Sequence, residues 1–130
     1  MEKTVVHVET EINPTEAEQK VKTAVANIFG NITTKTETAH IRSLLTADAL
    51  GKETLDNIRN LLRRDKVRDA ARRVFYAGSR GNSISFCLNK QVAFAGHISF
   101  SQETGESPLG PIKVTIECEN PRELIAWLTS

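Results

Sequence analysis

Apolar and polar positions alternate roughly from Thr4 to Ile12, through Val5, Val6, His7, Val8, Glu9, Thr10 and Glu11, and the run is rich in β-branched residues. That pattern predicts a strand with one buried face. It stops at Asn13-Pro14-Thr15-Glu16, which predicts a helix start: Asn13 as cap, Pro14 at the first helical position, Glu16 complementing the helix dipole. Ala17, Val21, Ala24, Val25, Ile28 and Phe29 then fall on one helical face, and Gly30 is placed to end it. The same grammar returns near the C-terminus. Ile112, Val114, Ile116 and Cys118 alternate with Lys113, Thr115, Glu117 and Glu119 before Asn120-Pro121-Arg122-Glu123. The recurrence reads as reuse of one physical solution for leaving a strand.

Between these units, residues 31–38 are Thr-rich and predict a second strand, whereas Ser43 to Leu50 reads as a turn or short helix ended by Gly51. A long helical stretch follows. Leu55, Ile58, Leu61 and Leu62 define one apolar face, but Val67, Ala70, Ala71, Val74 and Phe75 fall on roughly the opposite side if the helix continues at 100° per residue. A break near Arg63 to Asp65 resolves the conflict, giving two helices with different buried stripes. Ile84, Phe86 and Leu88 alternate strictly with Ser83, Ser85, Cys87 and Asn89, and His97-Ile98-Ser99-Phe100 follows a connection, so both predict strands. The segment from Ser101 to Pro111 reads as a loop. Without regular strand-helix-strand crossovers, the expected fold class is α+β: a single domain over residues 1–130, a largely antiparallel sheet covered by helices.

Composition changes little in this picture. At 130 residues, 39% hydrophobic and 25% charged, the chain is ordinary for a globular domain able to bury its own core. No apolar run approaches the roughly 20 residues that span a bilayer, and Met1-Glu2-Lys3-Thr4 lacks a signal-peptide pattern, so no membrane partner and a cytoplasmic location are expected. Cys87 and Cys118 read as reduced core or half-buried side chains. A disulfide between them would require their strands to pair with suitable geometry.

Charge changes the picture more. The formal net charge is only +1, yet Arg59 to Lys90 holds nine Lys/Arg against Asp65 and Asp69, a local +7 balanced by −6 elsewhere. Arg63, Arg64, Lys66, Arg68, Arg72 and Arg73 fall at the helix junction or away from the second helix's apolar stripe, with Arg80 and Lys90 at the margin. Arginine stays charged and presents a planar fork of donors suited to phosphate, so this surface is a candidate polyanion site. The competing reading is a solvated face whose charges are met by acids from the rest of the fold. Tyr76 is the one aromatic at the patch edge able to stack a base, because Phe75 belongs to the buried stripe. Structured RNA held through its backbone therefore suits the pattern better than single strands laid on aromatic platforms.

Other chemistry finds less support. Gly78-Ser79-Arg80-Gly81-Asn82 lacks the Gly-Lys-Ser/Thr end of a P-loop and reads as a turn. His7, His40 and His97 show no metal-ligand spacing, and no nucleophile motif is present. Glu9/Glu11 and Glu117/Glu119 read as solvated strand faces rather than an acid and base pair. No cofactor, metal or enzymatic activity is expected.

Leu88-Asn89-Lys90-Gln91-Val92-Ala93-Phe94-Ala95-Gly96, Ser107-Pro108-Leu109-Gly110-Pro111-Ile112 and Arg68-Asp69-Ala70-Ala71-Arg72-Arg73 together carry a resemblance. The chain resembles, over nearly its whole length, a family of small archaeal proteins related to a predicted RNA-binding group, whose fold is similar to that of ribosomal protein L-five. The resemblance implies that fold, and RNA as a partner. It assigns no catalytic residue, and Asn89, Lys90, Gln91, Ser107 and Pro108 either build a surface site or shape two loops, with the second reading favoured. The leading expectation is a nonenzymatic RNA-binding protein. The alternative is a protein-interaction or self-associating module, whose basic helices dock on an acidic partner or on a second copy to form a homodimer.

Overall fold

The computed structural model describes residues 4–38, 42–101 and 110–130. Strand β1 (Val5–Ile12) is central: it pairs antiparallel with β3 (Ser43–Leu50) on one side and β7 (Ile112–Glu117) on the other. The sheet runs in the order β2 (Thr34–Thr38), β3, β1, β7, β5 (Ser83–Leu88), β4 (Ser79–Arg80), with β6 (Phe100–Ser101) also on β5. Every pairing is antiparallel. Helices α1 (Glu18–Phe29), α2 (Lys52–Arg64), α3 (Arg68–Ala77), α4 (Lys90–Phe94) and α5 (Pro121–Leu128) complete the α+β fold.

Alternation decides the two faces of the sheet. Val6, Val8 and Ile12 of β1, Leu45 and Ala47 of β3, Ile112, Val114 and Ile116 of β7, and Ile84, Phe86 and Leu88 of β5 are buried. They join Val21, Ala24, Val25, Ile28 and Phe29 of α1, Leu55, Ile58 and Leu62 of α2, Ala71 and Phe75 of α3, and Leu124, Ile125 and Leu128 of α5 in one core. Phe75, Phe86 and Phe100 lock α3 to β5 and β6, with ring centroids 4.8 to 6.0 Å apart in tilted or edge-on geometry. The other face is left to His7, Glu9 and Glu11, with Thr46, Asp48, Lys113, Thr115, Ser83 and Ser85 from neighbouring strands.

The break in the basic helical tract is real, and its chemistry is visible. After Leu62 the Val67 N–H donates to the Leu62 carbonyl at 3.1 Å and the Lys66 N–H to that of Arg63 at 3.3 Å. This pair of bonds is the Schellman closure, which needs a left-handed residue between the two helices. Lys66 supplies it, with φ +58 in a position where glycine is usual. Gly30 does the ordinary thing at the end of α1: its φ is +78, and a Cβ there would stand 2.2 Å from the Asn57 amide.

Three expectations are corrected. Ser43–Leu50 is a full strand, neither turn nor short helix, because β1 and β2 both pair with it. Asn13 does not cap α1. Residues 13–16 form a turn closed by Glu16 N–H to Asn13 O at 2.9 Å, and the helix begins at Glu18, past Pro14. At the C-terminal counterpart the reading holds: Asn120 accepts from Glu123 N–H and Pro121 opens α5. The stretch 97–100 is a strand only at Phe100, since the short helix α4, capped by Asn89, occupies the connection before it. Cys87 is half-buried and Cys118 is buried, and the two are not joined in a disulfide. His40 and Ser107-Pro108-Leu109 lie outside the described residues.

Because a left-handed conformation costs a side-chain-bearing residue about 1 to 2 kcal/mol, more than glycine's extra unfolded-state entropy, Lys66→Gly is expected to stabilise the fold by about 0.5 kcal/mol. Urea unfolding measures this, and a loss of stability would contradict the role assigned to the turn.

Candidate nucleic-acid interface

The cations of the basic tract divide according to what surrounds them. Arg59 lies across the ring of Trp127, 5.2 Å from its centroid, and its Nε donates to the Trp127 carbonyl at 3.0 Å. Arg72 donates to the Thr129 carbonyl at 3.1 Å and hydroxyl at 3.3 Å. Helix α5 has no basic residue in its last turn, so its carbonyls and the negative end of its dipole are met by one arginine from α2 and one from α3. Sequence reading missed this clamp, for which the basic run gave no local signal.

Arg64 holds the corner. Its Nε donates to Asp65 at 3.0 Å and one Nη donates to the Gly96 carbonyl. Asp65 in turn accepts from the Ile98 N–H at 2.9 Å and lies 3.2 Å from His97 Nδ1, tying the end of α2 to the segment after α4. Burial pushes the Asp65 carboxyl up, but the Arg64, Ile98 and His97 hydrogen bonds, with the Arg64 charge, outweigh it and hold it down at about 2.

Lys90 is not at the margin of a basic surface. Only 4% of its side chain is exposed, and Nζ donates to the Glu11 carbonyl at 2.7 Å and to Glu16 at 3.0 Å. Asn89 starts α4 and thereby turns Lys90 inward against the 13–16 turn, whose Glu16 also receives the Asn13 N–H and side-chain amide. Burial raises the Glu16 carboxyl, and these bonds together with Lys90 reverse that and leave it lowered. A cation so enclosed is not available to phosphate. Arg80 is exposed, but its pairing with Ser83 turns it to the open sheet face, away from the helix side to which Ile84 points.

Arg63, Lys66, Arg68 and Arg73 remain: all exposed, with no ion pair to a described residue. They run from the last turn of α2 through the Schellman turn into α3, where Tyr76 is 46% exposed. Arg64 and Arg72, with side chains 54% and 49% exposed, add to the same field although their forks are engaged. Beside the corner, Asn27, Asn57, Asn60 and Arg64 line a polar groove of about 260 Å³ between α1 and α2.

The open sheet face is a different surface. Among the described residues its side chains mix the acids Glu9, Glu11, Asp48 and Glu117 with Lys35, Arg80 and Lys113, and the ladder pairs place no Phe, Tyr or Trp there, so it offers neither a concentrated positive field nor a platform of large rings. His7 and His97 each contact a carboxylate, Asp48 at 2.6 Å and Asp65 at 3.2 Å, both on exposed ground. The grooves that border α1, α4, α2 and β7 contain neither histidine. Among the described residues no three His, Cys, Asp or Glu side chains are grouped to hold a metal, and no helix is long and apolar enough to cross a membrane.

Comparison with known proteins gives consistent relatives. A family model described as RNA binding matches residues 5–118. A UPF0201 protein of Sulfurisphaera tokodaii is 43% identical over 94% of this chain and 84% of its own length, and one from Sulfolobus acidocaldarius is 40% identical over the same shares. The crystal structure of a UPF0201 protein from Methanococcus jannaschii superposes with a TM-score of 0.86 at 29% identity, covering 97% of this chain and 99% of that one.

Two tests follow from the buried charges. Lys90→Met is expected to cost about 3 kcal/mol at neutral pH by leaving the Glu16 carboxylate buried without its cation, and the loss should shrink in acid as Glu16 takes up a proton. Denaturant titration at pH 7 and pH 4 reads both. The lowered Asp65 value means a contribution present above pH 3.8 and lost as pH falls through about 2, worth about 2 kcal/mol. Asp65→Asn removes it at every pH, so the acid limb of its stability curve is expected to be shallower than that of the wild type.

Proposed function

The chain belongs to the UPF0201 family of archaeal proteins, and on that premise we propose that it is a nonenzymatic RNA-binding protein gripping the phosphate backbone of structured RNA through the α2–α3 corner. The observation that carries the reading is the set Arg63, Lys66, Arg68 and Arg73, exposed and without ion pairs to described residues on one continuous turn of chain. Excess like charge in one place destabilises a fold by self-repulsion. Its persistence here, after neighbouring arginines have been engaged by α5 and Asp65, is accounted for by an anionic partner.

Phosphate geometry supports arginine at these positions. A guanidinium offers two parallel donors to phosphate oxygens, and Arg68 and Arg73 stand about 7.5 Å apart along α3, each at its own position on the solvent arc. The patch lacks the interleaved rings that hold unstacked bases; Tyr76 alone is at its edge. Duplex or folded RNA recognised by backbone and shape is the substrate class that fits. Asn57 and Asn60 of the adjoining groove would meet 2′-hydroxyls or base edges.

Filter binding or fluorescence anisotropy with a hairpin RNA is the direct test. Binding should weaken steeply with salt, and each of Arg63→Glu, Arg68→Glu and Arg73→Glu should lower the slope of log affinity against log salt by about 1, uniformly across sequences. Arg80→Glu, on the open sheet face, should change affinity less than any of them. Failure of the wild-type protein to retain structured RNA at low salt would end the proposal.

A further inference from the structure

The sheet has two ends, and they are built differently. At one end β5 is flanked by β4 and β6, each only two residues long. Short flanking strands of this kind blunt an edge. At the other end β2 is five residues, Thr34-Lys35-Thr36-Glu37-Thr38, paired on its inner side to β3 along its whole length. Among the described residues no strand lies on its outer side. A regular edge of this length leaves a row of backbone N–H and C=O groups available to another strand.

The sequence of that edge is antisymmetric in charge about its centre. Thr36 is its centre, Lys35 and Glu37 are its two charges, and Thr34 and Thr38 are its ends. The register with β3 puts Lys35 opposite Thr46 and Glu37 opposite Leu44, on the open face of the sheet, while Thr34, Thr36 and Thr38 share the face of buried Ala47 and Leu45. Lys35 and Glu37 are both exposed, and neither has an ion pair to a described residue. Protective edge charges normally repel a second identical edge. These two do not.

We propose that β2 is the dimerisation edge of this protein, pairing antiparallel with β2 of a second copy about a twofold axis through Thr36. In that register Lys35 faces the second copy's Glu37 and Glu37 faces its Lys35, so two opposite-charge pairs form on one face. Registers displaced by two residues set Lys35 against Lys35 or Glu37 against Glu37, which like-charge repulsion disfavours. A slip of one residue mismatches the faces. On the axis Thr36 stands opposite its own equivalent, on the sheet face that it shares with buried Leu45. The result is one continuous sheet through two copies, with the helices of both on the same side. This inference stands independently of RNA binding, which uses the other end of the helical layer.

A ladder of five residues a side is small against the roughly 1,200 Å² of a standard stable interface, so the dimer is expected to be weak and concentration-dependent. Sedimentation equilibrium of the nuclease-treated protein from about 10 µM to about 1 mM should show the mass rising from 14.4 kDa towards twice that value. Lys35→Glu alone and Glu37→Lys alone should each weaken association at least tenfold with unchanged circular dichroism, because each opposes like charges twice. An equimolar mixture of the two single variants should restore it, as should the double variant that exchanges the two charges. Amide exchange at residues 34–38 should slow with concentration in the wild type. A wild-type monomer at about 1 mM, single variants that associate as the wild type does, or a mixture that fails to recover would each overturn the proposal.

Discussion

The turn at Asp65 to Val67 is the constraint on which the helical layer depends. Leu55, Ile58 and Leu62 must face the core from α2, and Ala71 and Phe75 must face it from α3, although a continuous helix would set the two groups on opposite sides. The Schellman bonds to the Leu62 and Arg63 carbonyls reverse the phase, at the cost of a left-handed lysine. Asp65 then fixes the corner in space through the Ile98 N–H and Arg64. Were the turn lost, Phe75 would leave its contacts with Phe86 and Phe100, and α3 would lose its seat on β5.

Three uses of positive charge coexist in one stretch of chain, and burial separates them. Lys90 is enclosed with Glu16, where removing either partner leaves a desolvated ion and costs several kcal/mol. Arg59 and Arg72 close the C-terminus of α5, Arg59 donating to the Trp127 carbonyl and Arg72 to that of Thr129. Arg63, Lys66, Arg68 and Arg73 stand in water, where an ion pair would be worth less than about 1 kcal/mol and stability places no demand on them. Among the described cations of the tract from Arg59 to Arg73, this last group is the one with neither an ion pair nor a side-chain hydrogen bond to a described residue. The surface proposed for RNA is thus smaller than the run of basic residues implies.

Legibility followed locality. The alternation of β1, β5 and β7, the single apolar face of α1 and the phase reversal after Leu62 were readable because each depends on residues within a few positions. Strand β3 was misread because Thr46-Ala47-Asp48-Ala49 has neither strong alternation nor β-branched density; its conformation is imposed by pairing with β1 and β2. Helix α4, five residues long, is too short for any periodicity to declare it, although Asn89 is an ordinary cap. The turn at Asn13 carries the same residue types as a helix start, and the difference was made by Lys90 drawing Glu16 inward.

By itself, then, the sequence determined the α+β class, the inward face of most elements, the position of the helix break and the concentration of cations around it, since periodicity and charge density are properties of neighbouring residues. It also contained the opposed charges of β2, which have no meaning until β2 is known to be an edge. The tertiary structure alone decided which of these cations are engaged by described residues. The partners that engage Arg64, Arg72 and Lys90 lie 32, 57 and 79 positions away, and desolvation by such distant groups leaves no trace in local composition.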